Sequence, residues 1–270
     1  MLTVNELFSG IGAFRKALIN CGIEHQIVGI SEVDKYAIAS YEAIYGPTRN
    51  YGDISKVVKL DYADMWTYGF PCQDISLAGH KRGIVKGETR SGLLYEVQRL
   101  LEISISCGEA PKFLIMENVK NLVGARFKPD FDRWISWLNE NGYVTHWKVL
   151  KASDYGIPQR RERVIAISIR QDIYMAPMFQ FPQPRPLKAR FRDLLEDDVD
   201  EKYFLSGKHL TAYEEWQKNN NKRQEPYGFK FAPTDRGGAE IAKTLRTRAD
   251  DRCSNYIVEQ LPDCEDDRGR

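Results

Sequence analysis

The stretch Leu2-Thr3-Val4-Asn5-Glu6-Leu7-Phe8-Ser9-Gly10-Ile11-Gly12-Ala13-Phe14-Arg15 decides how the chain is read. An apolar, β-rich run over Leu2–Phe8 leads into a turn with two glycines, and helical spacing follows to about Cys21. Glycines between a first strand and a first helix let the backbone turn tightly and approach a ligand closely. Arg15 occupies the third glycine position, so the dinucleotide fingerprint is incomplete. Glu32, 20 residues after Gly12, ends a second apolar run over Ile27–Val33. A carboxylate there can accept hydrogen bonds from both ribose hydroxyls. Strand, glycines, helix, strand and acid in that order point to a nucleoside-binding unit.

Working outward, Lys35–Tyr45 has helical spacing, Met65–Phe70 reads as a short strand, and Gly92–Ser104 places Leu93, Leu94, Val97, Leu100 and Leu101 at helical intervals. Phe113–Met116 is an apolar run of the kind found in buried parallel strands. A helix over Phe131–Glu140 stops at Asn141-Gly142, and Tyr143–Leu150 with Val164–Ile169 forms a closing β pair. Repeated strand–helix–strand units predict an α/β fold with a parallel, doubly wound sheet. After Arg170 the character changes. Pro177, Pro182, Pro184 and Pro186 are followed by an acidic stretch from Glu196 to Glu201 and a polar run from Lys218 to Glu225. Residues 1–175 are expected to form one domain, with a linker and a smaller, loop-rich region over 176–270.

The 270 residues carry 39 Lys+Arg against 38 Asp+Glu, a net charge of +1 that neither advertises nor excludes a nucleic-acid partner. No apolar run approaches the roughly 18–20 residues of a membrane-spanning helix. No basic segment followed by an apolar one opens the chain, so a secretory signal is not expected. Five cysteines without a C-x-x-C pair argue against a disulfide scaffold or a zinc ribbon, and no metal site is expected. The cytoplasm is the compartment this composition suits.

Three further segments carry chemistry. In Gly69-Phe70-Pro71-Cys72, a thiol follows proline at the carboxyl end of a strand, the edge where open α/β sheets place ligands. Proline fixes its own φ and restricts Phe70, so the thiol is aimed, and cysteine is an intrinsically strong nucleophile. The residues after it interleave Gly79, Gly83, Gly87 and Gly92 with His80, Lys81, Arg82, Lys86 and Arg90, a composition suited to a basic flap over an anionic polymer. Glu117 follows the apolar run Phe113–Met116. A carboxyl ending a buried strand is desolvated and can stay protonated to donate to a base nitrogen. In Gln159-Arg160-Arg161-Glu162-Arg163, a strand starting near Gln159 would put Arg161 and Arg163 on one face. Two guanidiniums there could grip a phosphate or a base carbonyl. The plainer alternatives are a buried thiol, a helix-capping Glu and an exposed basic edge.

Together, in this order from Leu7 to about Ile169, these segments resemble the cytosine-C5 DNA methyltransferase family. The resemblance implies a Rossmann-like S-adenosylmethionine-dependent methyltransferase sheet with a small target-recognition region, read here as incomplete. It implies that Phe8, Gly10 and Gly12 form the cofactor loop, that Glu32 holds the ribose and Asp53 the adenine amino group, and that Pro71 and Leu93 line the pocket. Cys72 would be the nucleophile, Glu117 and Arg163 would hold a cytosine flipped from duplex DNA, and Gln159 and Arg161 would support that site. Ala13 stands where many relatives have Gly. The family's closing helix and Gly-Asn-Ser segment have no counterpart, from which a truncated form, or half of a split enzyme completed by a second polypeptide, is expected. A setting in restriction–modification or phage biology fits so short a relative. Transfer-RNA cytosine methylation and an inactive DNA-binding remnant are the competing functions. A nicotinamide dehydrogenase is weaker, since it leaves the Pro-Cys loop idle. The Asp/Asn-Pro-Pro-Tyr/Phe signature of amino-methylating relatives is absent, which favours carbon as the methyl acceptor.

Overall fold

The computed structural model describes residues 1–71, 90–176 and 179–194. In chain order the elements are β1 (Leu2–Leu7), α1 (Ala13–Asn20), β2 (His25–Ser31), α2 (Lys35–Tyr45), β3 (Met65–Tyr68), α3 (Leu94–Ser106), β4 (Phe113–Val119), α4 (Lys128–Glu140), β5 (Tyr143–Lys151) and β6 (Glu162–Arg170). The strands form one six-stranded sheet in the order β2-β1-β3-β4-β6-β5. Strand β1 pairs in parallel with both β2 and β3, and β3 pairs in parallel with β4. The chain therefore leaves β1 toward one side and returns on the other, and the carboxyl ends of β1 and β3 flank the switch point where open sheets bind ligands.

Strand β6 lies antiparallel to β4, so the parallel part of the sheet is β2-β1-β3-β4. Only residues 152–161 join β6 to β5. That connection is shorter than the dozen or more residues of a parallel crossover. Strand β4 also outruns the apolar stretch read from sequence, because pairing with β6 continues through Glu117↔Ile165 and Asn118↔Val164 to Val119↔Arg163.

Local chemistry explains the helix limits. The Asp34 carboxylate caps α2 by accepting the Tyr36 and Ala37 N–H groups. Pro129 sits in the first turn of α4, where its missing N–H costs nothing, and Gly142, at φ 87°, follows that helix. Helix α3 buries Leu94, Val97, Leu100, Leu101 and Ser104, and α4 buries Phe131, Trp134 and Leu138. Both faces join Trp66, Tyr68, Leu114 and Met116 of the sheet in one core cluster.

At the amino-terminal edge Asp64 pins three strands. Its carboxylate accepts the Thr3 N–H (3.0 Å), the Thr3 hydroxyl (2.7 Å) and the Tyr62 hydroxyl (3.1 Å), and pairs with the Lys112 ammonium (2.8 Å). Its carbonyl accepts the Lys112 and Phe113 N–H groups. Burial opposes ionisation here, yet the bonds from Lys112 and Thr3 outweigh it and hold the carboxyl well below the usual range.

The chain divides into two compact units, Met1–Leu150 with Glu162–Pro182, and Lys151–Arg161 with Gln183–Arg270. In the second, the 3₁₀ turn Ala152–Tyr155 ends at Gly156, whose φ of 90° is left-handed. Arg185 donates to the Tyr155 carbonyl through Nε (3.1 Å) and Nη2 (2.8 Å). No described helix is long and apolar enough to cross a membrane.

Candidate active site

The glycine turn forms at the carboxyl end of β1. Phe8, Gly10 and Gly12 all have positive φ (56°, 55° and 82°). For Phe8 that is a strained conformation. It is held because the Phe8 and Ser9 N–H groups both donate to the Ser31 carbonyl at the end of β2. Gly10 donates to Oε2 of Glu32 (2.9 Å), while Oε1 accepts the Val33 (2.8 Å) and Asp34 (2.9 Å) N–H groups. A Cβ at Gly10 would meet nothing within 4 Å, so this glycine serves the backbone angle and leaves open space. At Gly12 a Cβ would collide with the Tyr45 and Tyr41 rings, at 2.5 and 2.7 Å.

Asp53 caps the 3₁₀ turn Ile54–Lys56 by accepting the Ser55 hydroxyl and N–H, and these bonds lower its pKa. Its loop is tied to Glu32 by two residues that sequence reasoning missed. Asn50 accepts from the Glu32 and Gly52 N–H groups and donates to the Glu32 carbonyl, and the Ser31 hydroxyl donates to the Gly52 carbonyl. The two carboxylates expected to bind a nucleoside thus stand on coupled loops.

Whether these residues fit S-adenosylmethionine can be judged from their donors and acceptors. Ser9 Oγ is buried with no hydrogen-bond partner among the described residues. A carboxylate has about four acceptor sites. The three N–H groups on Glu32 leave one for a hydroxyl. The Gly10 turn is open, and Asp53 offers a second carboxylate. Leu93, just before α3, is partly buried against the core. The set suits a ribose-bearing ligand.

The catalytic candidates cluster one step further along the same edge. Leu7 lies opposite Tyr68, Tyr68 opposite Met116, and Met116 opposite Ala166. The next residues, Phe8, Gly69 and Glu117, therefore step together past the parallel strands. The glycine turn and Glu117 are two strands apart, on the order of 10 Å at the backbone. Glu117 Oε1 pairs with Arg163 Nε at 2.9 Å, with 29% and 21% of the two side chains exposed. Arg163 also donates through Nη1 to the Glu162 carbonyl (2.8 Å). A Cβ at Gly69 would lie 3.3 Å from Glu117 Oε2, so glycine leaves this carboxylate its room. Asn118, only 2% exposed, donates from Nδ2 to the Phe70 carbonyl at 3.0 Å and accepts the Val119 N–H at Oδ1. It anchors the backbone leading into Pro71, which is itself partly buried.

Three expectations are corrected. Glu117 lies inside β4 rather than ending it, and it is partly exposed and ion-paired. The last strand starts at Glu162, not near Gln159, which forms no more than a single bridge after the 3₁₀ turn, Gly156 and Pro158. Gln159 and Arg161 accordingly belong to the second unit: Gln159 donates its N–H to the Ile157 carbonyl, and the Arg161 carbonyl accepts from Ala152. Cys72 and the basic segment Gly79–Lys86 lie outside the described residues. Among the described residues there is no His/Cys/Asp/Glu group able to hold a metal.

The chain is similar to known methyltransferases. The C-5 cytosine-specific DNA methylase family model matches residues 2–262. Type II methyltransferase M2.ScrFI of Lactococcus lactis subsp. cremoris is 36% identical over 78% of this chain and 72% of its own length. Orphan methyltransferase M.SPRI of Bacillus phage SPR is 34% identical over 76% of this chain and 52% of its own. Among solved structures, the Dnmt2 methyltransferase of S. pombe superposes with a TM-score of 0.68 at 17% identity, over 97% of this chain and 77% of that one. None of these comparisons supports the expected second polypeptide. A six-stranded α/β sheet, an acid–arginine pair beside Gly69 and a family match spanning nearly the whole chain lead to one assignment: the chain belongs to the C-5 cytosine-specific DNA methylases, the DNA cytosine methyltransferase family.

Proposed function

We propose that this protein methylates C5 of a cytosine flipped out of duplex DNA, using S-adenosylmethionine and a transient covalent bond to Cys72. The Glu117–Arg163 pair, held where β3 delivers Gly69 and Pro71, is the observation that carries the reading. Phe8, Gly10 and Gly12 shape the cofactor turn, Glu32 and Asp53 accept hydrogen bonds from its ribose and adenine, and Pro71 and Leu93 flank it. When bound, S-adenosylmethionine supplies an electrophilic methyl group on a sulfonium.

C5 of cytosine is a weak nucleophile while the ring is aromatic. The Cys72 thiolate adds to C6, a carbon–sulfur bond forms, and the C5–C6 electron pair becomes available at C5. Glu117 holds a proton at N3, and Arg163 fixes the carboxyl and the base. Once C5 carries the methyl group, loss of its proton restores the C5–C6 double bond and expels the Cys72 sulfur. Extruding the base costs a few kcal/mol, least where pairing is already weak. Gln159 and Arg161, in the Gln-Arg-x-x-Arg string that ends in Arg163, have supporting roles, and residues 176–270 read the DNA sequence. The relatives' setting favours restriction–modification or phage biology, and the cysteine content favours the cytoplasm.

The test is a duplex carrying 5-fluorocytosine, incubated with and without S-adenosylmethionine. A denaturation-resistant adduct that needs the cofactor is expected with the natural chain, and none with Cys72→Ala. An adduct surviving that substitution removes Cys72 as the nucleophile.

A further inference from the structure

Helix α1 begins without a local cap. Its first flanking residue is Gly12, which has no side chain to satisfy the early N–H groups. Two distant residues take over. The Glu6 carboxylate on β1, only 1% exposed, accepts the Arg15 N–H at 3.0 Å and the Tyr41 hydroxyl of α2. Tyr45, one turn further along α2, donates its hydroxyl to the Gly12 carbonyl at 2.8 Å, which also accepts the Lys16 N–H. Both tyrosine rings press on the Gly12 α-carbon so closely that a Cβ there would overlap them. The Arg15 guanidinium lies 4.6 Å from the Tyr45 ring centroid and 5.6 Å from that of Tyr41, and donates to the Tyr41 hydroxyl at 3.3 Å.

We propose that Tyr41 and Tyr45 are positioning residues for the cofactor: with buried Glu6 they clamp the backbone from Gly12 to Arg15 in the shape that receives S-adenosylmethionine. This rests on the cofactor reading above. The physical reason is that a turn with three positive-φ residues is intrinsically soft or strained. A ligand binding such a turn loses affinity to the cost of ordering it unless the protein has ordered it first. Burying Glu6 disfavours its charged form and raises its pKa, and the bonds from Tyr41 and Arg15 counter that burial. The carboxylate is thereby committed to the turn. Arg15, which breaks the dinucleotide fingerprint in the sequence, occupies the place where a third glycine would leave no side chain to cover these rings.

The test uses the full chain and S-adenosylmethionine as the probe, with its Kd from calorimetry and the melting temperature of the free protein measured side by side. Tyr45→Phe keeps the ring on Gly12 and deletes one hydrogen bond, and should weaken binding by about threefold to tenfold. The free protein should melt within a degree or two of the natural chain. Tyr41→Phe acts on the same turn through Glu6 and should weaken binding in the same direction. A Kd within twofold of the natural chain in both variants, or a lower melting temperature with an unchanged Kd, overturns the clamp. A natural chain that does not bind S-adenosylmethionine overturns the cofactor reading and the clamp with it, whereas binding by the natural chain and both variants alike overturns the clamp alone.

Discussion

Asn118 and Asn50 each tie a site loop to the sheet through main-chain hydrogen bonds. Asn118 is the sharpest case, because it satisfies the Phe70 carbonyl two residues before Cys72. Asn118→Ala leaves that buried carbonyl unpaired and should cost about 1–3 kcal/mol of stability in urea unfolding. It should also slow adduct formation on 5-fluorocytosine DNA. Glu117→Gln keeps the shape and removes the charge. The pair is mostly buried, so its loss should cost about 1.5–3 kcal/mol of stability. Methyl transfer should fall by about 10²–10⁴-fold, as measured by single-turnover rates, if Glu117 handles a proton at N3. That Glu117 and Arg163 stand together was legible because Glu-Asn-Val and Gln-Arg-x-x-Arg are local strings. The bonds of Asn118 to Phe70 and of Asn50 to Glu32 were not, since they span 48 and 18 positions and join a side chain to a main-chain group.

At the scale of elements, apolar period and turn residues marked nearly every strand and helix, and α2 has the limits its spacing predicts. Where the reading fell short, pairing decided the outcome. Glu117 and Asn118 look like the end of a strand in sequence, yet β6 extends β4 across them. At the opposite edge the Asp64 cluster joins the starts of β1, β3 and β4. Because the folded-state pKa of Asp64 is depressed, its contribution is present above the unfolded value of about 3.9 and is lost as pH falls through the folded value. Asp64→Asn should therefore lower stability by about 1–3 kcal/mol at pH 7. The gap to the natural chain should narrow as urea unfolding is repeated toward pH 2, and a gap independent of pH would contradict this role.

For the whole molecule, the α/β class followed from element order, whereas the DNA-reading part did not. Base readout depends on side chains from loops and leaves no periodic trace in a sequence. The largest expected effect at this scale is linkage. S-adenosylmethionine at about 100 times its Kd should stabilise the fold by about 2.7 kcal/mol. The melting temperature should climb with cofactor concentration, and Glu32→Ala should abolish the climb.

The reversed run of β6 has its own consequence. Strands β1 to β4 hand over their chemistry on departure, in the residues that come after each apolar run, while β6 hands over Arg163 on arrival. Anyone scanning a chain of this architecture for working residues must look at the carboxyl ends of the first four strands and at the amino end of the last. An engineer may likewise lengthen the link ahead of Glu162 without disturbing the Val119↔Arg163 register, since that alignment is set inside the sheet.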